Sequence, residues 1–505
     1  MQLDDRPTGM VDAGWVPEHP WGLVIDGRIV PATAGRTFTK ENPSTEAPLC
    51  EVPDAGSDDV DGAVQSCAAA FPDWSRTDVR ARARLLRRMG EVLREHRDEL
   101  AILDAVDVGN TFTMMRTDVD FGAEMMDLMA DAALQLQGST IPVTADNLHY
   151  TRREPFGVVG RITPFNHPIM FASQKVAAPL MAGNTVVLKP SETGPLSALR
   201  MGELFTEVLP PGVLNVIVGD GPEAGRALVR HPLVRRIAFT GSDVTGRAIQ
   251  RDAAEVGVKQ VSLELGGKNA MIVCPDADLD LAVDGAIRGM NFYGWQSQSC
   301  GSTSRLMVHA SISAEVVERL HERIGAIRVG PPLDPSSEMG PMANRRQYDR
   351  VMHYVEAGKE DGATLVSGGR RPPGLDRGYF VEPTLFDGVE DHMRLGREEV
   401  FGPILSVMTW TDVGEAVRIA NAVDDGLTAA IWTRDIERAL VLAHRMEVGY
   451  VWVNGAATHY WGMPFGGYKN SGIDREESVD EIWSYTQIKS VNVVLRPDVV
   501  LGDGG

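Results

Sequence analysis

Cys300 is the cysteine of this chain whose surroundings best suit a nucleophile. It lies in the polar segment Gln298-Ser299-Cys300-Gly301-Ser302, whose small residues predict an exposed loop. Cys67 falls in an alanine-rich helical stretch, and Cys274 ends an apolar strand. Because a lone cysteine is more often a small packing residue than a reactive one, Cys300 needs chemical partners before a catalytic role is indicated.

A carboxylic acid and an amide elsewhere in the chain could be those partners. Glu264 stands between two leucines at the end of an apolar strand, where burial would raise its pKa and suit it to act as a general base. Asn166 lies between Pro164 and Pro168, whose rings fix the backbone, so its amide could donate to a developing oxyanion. Taken singly, Glu264 could be a paired structural acid and Asn166 a turn residue.

Two glycine turns that each join a strand to a helix predict a nucleotide site. The first is Gly219-Asp220-Gly221-Pro222-Glu223-Ala224-Gly225, with Gly221 and Gly225 as candidate contacts. Its spacing is one residue longer than the dinucleotide fingerprint, so a plain turn is the alternative. The second is Phe239-Thr240-Gly241-Ser242, after which either Ser242 or Asp243 can cap the following helix. Two such units within about 30 residues favour a nucleotide over independent turns.

A third strand end, Leu188-Lys189-Pro190-Ser191-Glu192, carries charges that could bind the hydroxyls of a ribose. Lys189 and Glu192 are the candidates, although either could be a surface charge. A carboxylate accepts a hydrogen bond from a free 2′-hydroxyl and repels a 2′-phosphate, so Glu192 favours NAD and leaves NADP as the alternative. Thiol, carboxyl, amide and nucleotide turns together are the set that acyl chemistry with hydride transfer requires.

The elements that must position these groups alternate between strands and helices. A hairpin is predicted at Leu23–Ile25 and Arg28–Val30, and amphipathic helices over about Asp58–Asp107 and Gly122–Gln137. The strands predicted after Gly157 are Val158–Ile162, Thr185–Leu188, Val213–Val218, Ile237–Thr240 and Gln260–Leu263. Those predicted after Gly266 include Ala270–Val273, Arg305–Val308, Ile404–Thr409, Ala429–Trp432 and Val451–Asn454. This alternation indicates an α/β fold with two Rossmann-like parallel sheets.

One further predicted strand stands apart from both groups. Residues Ser484–Val493 alternate in a strand-like way after the final helical stretch. Because this strand is so distant from any partner, we expect it to pair with another subunit.

Composition excludes several classes of protein. The 505 residues are 43% hydrophobic and 24% charged, which is typical of a globular chain with two to four domains. The net charge of −21 repels nucleic acid and anionic lipid. Four cysteines without a C-x-x-C pair indicate a reducing compartment, and no metal site is expected. Since neither a signal peptide nor an apolar stretch of about 18 residues is found, we expect a cytoplasmic protein that binds neither nucleic acid nor membrane.

Nearly the whole chain, from about Gly27 to Val493, resembles the aldehyde dehydrogenase superfamily. Seven ordered motifs carry the resemblance: Pro164–Pro168 for the oxyanion, Lys189–Glu192 for the ribose, Phe239–Ser242 for the phosphate turn, Glu264–Lys268 for the general base, Gln298–Cys300 for the nucleophile, Glu399–Pro403 for a second ribose contact, and Pro464–Gly472 for a late active-site loop. Seven motifs in the family's order do not arise by chance.

The resemblance implies a division of the chain and a reaction. Residues 1–137 and 157–263 would form the NAD(P)-binding domain and residues 264–475 the catalytic domain. Residues 138–156 and 482–499 would form a small β oligomerisation element of a homodimer or homotetramer.

The reaction implied is oxidation of an aldehyde to its carboxylic acid. The Cys300 thiolate would attack the aldehyde carbonyl while the Asn166 amide and the Cys300 backbone N–H hold the oxyanion. Glu264 would then activate the water that hydrolyses the thioester.

The resemblance also implies which residues meet the two ligands. The cofactor contacts would be Ile162, Pro164, Phe165, Lys189, Ser191, Glu192, Gly221, Gly225, Phe239, Thr240, Gly241, Ser242, Leu265, Gly266, Glu399 and Phe401. The substrate tunnel would be lined by Phe171, Tyr293, Trp295, Ser299, His459, Trp461 and Phe465, although each could pack in a core instead. Because the tunnel set is mostly aromatic and offers no Arg or Lys to a carboxylate, it favours bulky apolar or aromatic aldehydes.

Four residues depart from the family's pattern. His167 follows the oxyanion asparagine where an apolar or aromatic residue is common, and Gln174 replaces an aromatic residue. Trp295 replaces a small or polar residue, and Ser297 puts a Cβ where the loop usually has glycine. Loss of the aromatic at position 174 weakens a betaine-aldehyde or amino-aldehyde reading, because a quaternary ammonium needs an aromatic cage.

Two other functions remain as alternatives. A CoA-acylating semialdehyde dehydrogenase would pass the acyl group to CoA, but such enzymes characteristically lack the hydrolytic glutamate that Glu264 matches. A non-catalytic relative that reuses the fold would usually lose the thiol or the base.

Overall fold

The structure is a computed structural model that describes residues 19–495. Residues 1–18, predicted to belong to the cofactor domain, and residues 496–499, predicted to belong to the oligomerisation element, lie outside the described residues.

From residue 19 to Glu264 the structure has ten strands and eight α-helices. In chain order they are β1 (Leu23–Ile25), β2 (Arg28–Val30), β3 (Thr37–Asn42), β4 (Ala47–Pro53), α1 (Ser57–Arg76), α2 (Val79–Glu95), α3 (Arg97–Val108), α4 (Phe112–Asp131), β5 (Leu148–Pro155), β6 (Val158–Ile162), α5 (Pro168–Met181), β7 (Thr185–Lys189), α6 (Leu196–Phe205), β8 (Leu214–Val216), α7 (Arg226–Arg230), β9 (Val234–Thr240), α8 (Asp243–Val256) and β10 (Gln260–Glu264).

The second half alternates in the same way. Its elements are β11 (Ala270–Val273), α9 (Leu279–Gly289), α10 (Phe292–Trp295), β12 (Arg305–His309), α11 (Ser313–Gly325), α12 (Arg345–Glu360), β13 (Thr364–Ser367), β14 (Thr384–Asp387), α13 (Arg394–Arg397), β15 (Ile404–Trp410), α14 (Val413–Asn421), β16 (Asp425–Gly426), β17 (Thr428–Trp432), α15 (Ile436–Arg445), β18 (Tyr450–Val453), β19 (Tyr468–Lys469), β20 (Gly472–Ile473), α16 (Val479–Ser484) and β21 (Thr486–Val493).

The first sheet has the strand order β2-β1-β8-β7-β6-β9-β10-β20. Strands β8, β7, β6, β9 and β10 run parallel, while the β1–β2 hairpin and β20 join antiparallel. Every residue of β6 and β7 is buried, as expected of parallel strands covered on both faces by helices. β20 comes from residues 472–473, within the predicted catalytic domain, and pairs with β10 at Glu264.

The second sheet has the order β13-β14-β15-β12-β11-β17-β18 and is parallel except for β13. Separate apolar clusters contain Met271 and Ile272, neighbouring residues of β11 that point to opposite faces of the sheet. The predicted α/β fold with two largely parallel sheets is therefore confirmed.

The final strand has its partner within the same chain, not in another subunit as its distance from other strands suggested. β21 pairs antiparallel with β5 from Thr486↔Pro155 to Val493↔Leu148. The strand also begins later than predicted, because Ser484 ends α16. The predicted oligomerisation segments thus form one two-stranded sheet.

The predicted helical stretch from Asp58 to Asp107 is three helices, and local signals explain the breaks. Asp78 caps α2 by accepting a hydrogen bond from the Arg80 N–H, and His96 separates α2 from α3. Gly109, with a φ of 82°, ends α3 two residues after the predicted stretch. Within residues 19–495 no helix has both the length and the apolar character needed to cross a bilayer.

Candidate active site

The candidate catalytic groups lie where the two sheets meet. Glu264 is the last residue of β10 in the first sheet, and β11 of the second sheet begins only six residues later, at Ala270. Asn166 lies in the loop between β6 and α5, and Cys300 lies in the loop before β12. The three predicted catalytic residues therefore come from both sheets.

The Cys300 loop is held to the linker between the sheets by Asn269. The Asn269 Nδ2 donates to the backbone oxygens of Cys300 at 2.6 Å and Ser302 at 3.0 Å. Cys300 is partly exposed as a residue, whereas Cys67 and Cys274 are buried as predicted. Burial within the site, together with the carboxylates of Glu399 and Glu264, raises the pKa of Cys300 to about 12. The thiol must therefore lose its proton before it can react as a thiolate.

Glu264 has the environment predicted for a general base. It is 6% exposed, and neither carboxyl oxygen has a hydrogen-bond partner in the described part of the chain. Burial and then the charge of Glu476 raise its pKa well above the usual range of a carboxyl. A Cβ at Gly466 would come within 2.7 Å of the Glu264 Oε1, so the glycine of the late loop leaves room beside the carboxyl.

Two hydrogen-bond donors suited to an oxyanion lie in the same region. The Asn166 backbone oxygen accepts from the Asn110 Nδ2 at 2.7 Å, which fixes the loop that carries the Asn166 side chain. Among residues 19–495 no protein group hydrogen-bonds the Asn166 amide or the Cys300 backbone N–H. Both donors are therefore available to a substrate oxygen.

A buried ion-pair network lies behind Glu264. The Glu476 carboxylate contacts both Arg161 of β6 and Lys175 of α5, and all three side chains are nearly or fully buried. Burial opposes the ionisation of Glu476, but the two cations outweigh it and lower its pKa to about 2. The network therefore places a fixed negative charge near Glu264.

Removing that charge should destabilise the protein. Glu476→Gln leaves Arg161 and Lys175 buried without their counter-ion, so we expect the free energy of unfolding to fall by about 3–5 kcal/mol. Urea denaturation followed by tryptophan fluorescence measures the change. Glu318→Gln, an exposed substitution on α11, is the matched control. A loss below about 1 kcal/mol in Glu476→Gln would show that the network is not structural.

The carboxyl ends of the first sheet's strands fit a nucleotide. Ile162 pairs in register with Lys189 and Phe239, so β6, β7 and β9 end side by side. The strand order reverses between β6 and β9, which is where open α/β sheets bind ligands. The hydroxyl of Thr240 is buried and has no partner in the described residues, which leaves it available to a ligand.

The predicted ribose contacts lie at the end of β7. Lys189 is buried, its pKa is lowered by that burial, and its Nζ lies 3.8 Å from Glu192 Oε2. The Glu192 carboxylate is half exposed and can reach a ribose hydroxyl. The Ser191 hydroxyl accepts from the Thr193 N–H at 3.2 Å, so it shapes the turn instead.

The two glycine turns surround this strand end. Gly221 to Gly225 form one π-helical turn, and Gly225 approaches the Lys189 side chain. Ser242 caps α8 by accepting from the Thr245 N–H, as predicted. The Gly241 N–H donates to the Glu264 backbone oxygen at 3.0 Å, so this turn joins the nucleotide side to the general base.

The remaining predicted cofactor residues come together near the linker. Glu399 accepts from the Gly267 N–H at 3.2 Å, and burial raises its pKa to about 7. A Cβ at Gly266 would overlap the Glu399 carboxyl, so only glycine permits this approach. Phe165, which follows Pro164, and Phe401 meet edge to face at 5.9 Å. Leu265 packs against Gly246 of α8.

Most of the predicted tunnel residues fall into two aromatic groups. His167 lies 5.6 Å from Phe171 and 5.1 Å from Trp295, between ring centroids. The second group has His459 at its centre, 4.7 Å from Phe465 and 6.2 Å from Trp461.

Two predicted tunnel residues fall outside those groups. Ser299 is partly exposed beside the nucleophile. Tyr293 is 37% exposed, and the charges that act on it belong to Glu338, Asp284, Arg323 and Arg288. The structure does not bring Tyr293 together with the rest of the set.

The loop before Cys300 is strained where its sequence is unusual. Asn291, Gln296 and Ser297 have φ values of 56°, 51° and 59°, in the left-handed region that costs a residue with a Cβ about 1–2 kcal/mol. The φ of Ser297 is one that glycine adopts more readily, which agrees with the expectation from the family resemblance. Its geometry is held because Gln296 donates to the Gly109 oxygen and the Ser297 N–H donates to the Asn291 oxygen at 2.8 Å.

Several partners in the site were not predicted. Lys175 had a sequence signal, since a lone cation in the uncharged stretch of α5 needs a buried counter-ion. Glu476 had none, because the run Asp474-Arg475-Glu476-Glu477 is typical of a solvated surface. Asn269 follows the Glu264 motif directly, but only the folded loop shows that it holds Cys300.

The chain is similar in sequence and in structure to known proteins. Residues 29–491 match the aldehyde dehydrogenase family. The chain is 43% identical over 490 residues to aldehyde dehydrogenase tropH of Talaromyces stipitatus, covering 95% of this chain and 94% of that one. It is 41% identical over 491 residues to the hydroxyisobutyraldehyde dehydrogenase of Mycolicibacterium austroafricanum, covering 97% of each. The NAD⁺ complex of an aldehyde dehydrogenase from Bacillus cereus superposes with a TM-score of 0.92 at 40% identity, covering 95% of this chain and 97% of that one.

Proposed function

This chain belongs to the aldehyde dehydrogenase family, and we propose that it oxidises bulky apolar or aromatic aldehydes to carboxylic acids with NAD⁺ through a Cys300 thioester. The observation that carries the proposal is that a thiol and a buried carboxyl without hydrogen-bond partners share one site. The charge of Glu264 raises the pKa of Cys300, and both Glu264 oxygens lack protein partners among the described residues.

The first chemical step is attack by Cys300 on the aldehyde carbonyl. Because the pKa of the Cys300 thiol is raised, its proton must leave for solvent before the C–S bond forms. The new C–S bond turns the carbonyl oxygen into an oxyanion. The Asn166 amide and the Cys300 N–H donate to that oxyanion.

The second step leaves an acyl group on Cys300. When bound, NAD⁺ supplies the acceptor for the hydride that leaves the substrate carbon. Glu264 in its carboxylate form then takes a proton from water, and the resulting hydroxide attacks the thioester carbonyl. The acid is released, and the thiol is restored.

The residues around the first sheet support NAD⁺ as the cofactor. Lys189 and Glu192 at the end of β7 would hold the ribose hydroxyls, and the Glu192 carboxylate would repel the 2′-phosphate of NADP⁺. The turns at 221–225 and 239–242 would face the phosphates, and Glu399 with Phe401 would bind near the nicotinamide. The NAD⁺ complex of the similar Bacillus cereus enzyme supports the same assignment.

Aromatic side chains support the bulky substrate class. Phe171, Trp295, Trp461 and Phe465 supply apolar surface around the two groups of rings. Lys175, whose Nζ lies 5.3 Å from the centre of the Phe171 ring, is already paired with Glu476 and so is not free to pair with a substrate carboxylate.

The two-stranded sheet is suited to join subunits of an oligomer. We infer a cofactor domain of residues 157–263 with the segment before residue 138, a catalytic domain of 264–475, and an oligomerisation element made of β5 and β21. Leu148 and Ile488 of these strands are exposed apolar residues, which is typical of a surface that another subunit covers. A monomer in light scattering would contradict this element.

Turnover of an aldehyde panel tests the proposed function. We expect benzaldehyde and 4-ethylbenzaldehyde to give NADH with a kcat/KM at least about tenfold above that of acetaldehyde or betaine aldehyde, because the aromatic groups add binding energy. Replacing NAD⁺ by NADP⁺ should lower kcat/KM. Product formation that depends on CoA would contradict the hydrolytic step, and no NADH from any aldehyde would contradict the function as a whole.

A further inference from the structure

Two histidines in the tunnel groups are held in the same way by buried carboxylates. His167 Nδ1 lies 2.9 Å from Asp118 Oδ2, and His459 Nδ1 lies 2.8 Å from Glu477 Oε2. Asp118 is fully buried and Glu477 nearly so. Because a carboxylate only accepts hydrogen bonds, each Nδ1 carries the hydrogen, and a neutral ring then presents its Nε2 as an acceptor.

Both Nε2 atoms are available to a ligand. Within residues 19–495 neither atom has a hydrogen-bond partner, and neither is fully enclosed by protein. The carboxylate on the far side of each ring fixes its orientation, as the partners of metal-binding histidines do. The two rings are therefore fixed acceptors flanked by aromatic surface.

His167, His459 and the aromatic rings in contact with them form one connected surface, which we call the wall. Helix α4 carries the carboxylate that holds His167 and, one turn later, Phe121, whose ring meets Trp461 at 5.5 Å. Trp461 in turn meets the ring of His459. Gln174 on α5 donates to the Glu477 carboxylate at 3.5 Å, so both helices reach both histidine groups.

This wall is close to the nucleophile, and two cations near it in the described part of the chain are already engaged. Glu477 contributes to raising the pKa of Cys300, which places it near the thiol. The two cations that act on Glu264 are already bound, since Lys175 contacts Glu476 and Arg475 donates to two backbone oxygens. The wall is therefore rich in acceptors and unsuited to an anion.

We propose that the tunnel selects aldehydes whose tail carries a hydroxyl group, which donates to Nε2 of His167 or His459. This inference rests on the proposed function and narrows its substrate class. A bound substrate that covers the acceptor with a methyl group shuts it off from water without a partner, whereas a hydroxyl satisfies it, and this difference is worth about 1–3 kcal/mol, or roughly 5- to 150-fold in kcat/KM. A carboxylate tail would face Glu477 and Asp118 with no counter-ion.

Three aldehydes of similar size test the proposal in the wild-type enzyme. They are 4-(hydroxymethyl)benzaldehyde, 4-ethylbenzaldehyde and 4-carboxybenzaldehyde, each assayed with NAD⁺ by NADH absorbance. We expect the hydroxymethyl compound to exceed the ethyl compound in kcat/KM by at least about tenfold, and the carboxy compound to be the poorest. Equal or reversed order of the first two would overturn this inference alone, whereas no turnover of any aldehyde would overturn the proposed function.

Variants then test the two histidines. The ratio of the hydroxymethyl to the ethyl kcat/KM should fall to within about threefold of unity in the double variant His167→Phe/His459→Phe, because both acceptors are lost. The single variants show which ring carries the contact, and His→Gln at that position should restore part of the ratio. His321→Phe, on the exposed face of α11, is the matched control and should keep the wild-type ratio. An unchanged ratio in the double variant would overturn the role of the histidines.

Discussion

Replacing Cys300 by alanine should lower the steady-state rate of NADH formation by a factor on the order of 10⁴ to 10⁶. Without the thiol no covalent intermediate forms, so neither the oxyanion donors nor Glu264 has an intermediate on which to act. Binding of NAD⁺ should persist, because the nucleotide residues lie at the strand ends of the first sheet. Loss of turnover with retained quenching of tryptophan fluorescence by NAD⁺ is the expected pair of measurements.

Cys50→Ala is the control for that experiment. Cys50 is a half-buried thiol whose pKa is also raised to about 12 by burial, but it lies on β4 at a distance from the linker. Its loss should leave turnover near the wild-type value. Residual activity of Cys300→Ala within tenfold of wild type would show that another group forms the bond to the substrate.

Replacing Glu264 by glutamine should separate the two halves of the reaction. We expect one equivalent of NADH per active site in a burst, followed by a steady rate lower by about 10² to 10⁴, because water is no longer activated. The accumulated thioester should appear as an acyl adduct of the intact protein in mass spectrometry. Glu318→Gln is the matched control, since it makes the same change on the exposed surface of α11.

The wild-type pH profile follows from the same residue. Burial and Glu476 raise the pKa of Glu264, and only its carboxylate form accepts a proton from water. The steady rate of the wild type should therefore fall as the pH decreases through that raised pKa, and this limb should be missing from Glu264→Gln. An unaltered steady rate in Glu264→Gln would show that Glu264 takes no part in hydrolysis of the thioester. A lowered burst would instead place it before hydride transfer.

The sequence predicted the alternation of strands and helices because their apolar residues follow two distinct periods. The strands predicted in both sheets lie within three residues of their observed ends, as β6 and β11 show, whereas β13, β14 and β20 were not predicted. The sequence pattern did not predict the breaks at Asp78 and His96, although Asp78 is an ordinary N-cap residue. The pairing of β21 with β5 could not be predicted, because hydrogen bonding between strands more than 300 residues apart leaves no local pattern.

Within the site, the sequence indicated the groups that we propose to react but not those that hold them in place. Cys300, Glu264 and Asn166 stand in distinctive segments, whereas Asp118 and Glu477 look like ordinary charges of amphipathic or acidic stretches. Their burial is visible only after folding, when each meets a histidine. Tyr293 is the opposite case. The family resemblance predicts it to line the tunnel, but its side chain is exposed.

The short linker between Glu264 and Ala270 limits where the chain can be opened or extended by protein engineering. Five residues join the sheets, and Leu265, Gly267 and Asn269 are each hydrogen-bonded to other segments, so the base and the nucleophile loop share one fixed connection. New termini or an inserted domain at this point would separate the base from the thiol. Circular permutants should therefore be opened in exposed turns such as the one at Gly374, where the active site keeps its continuous backbone.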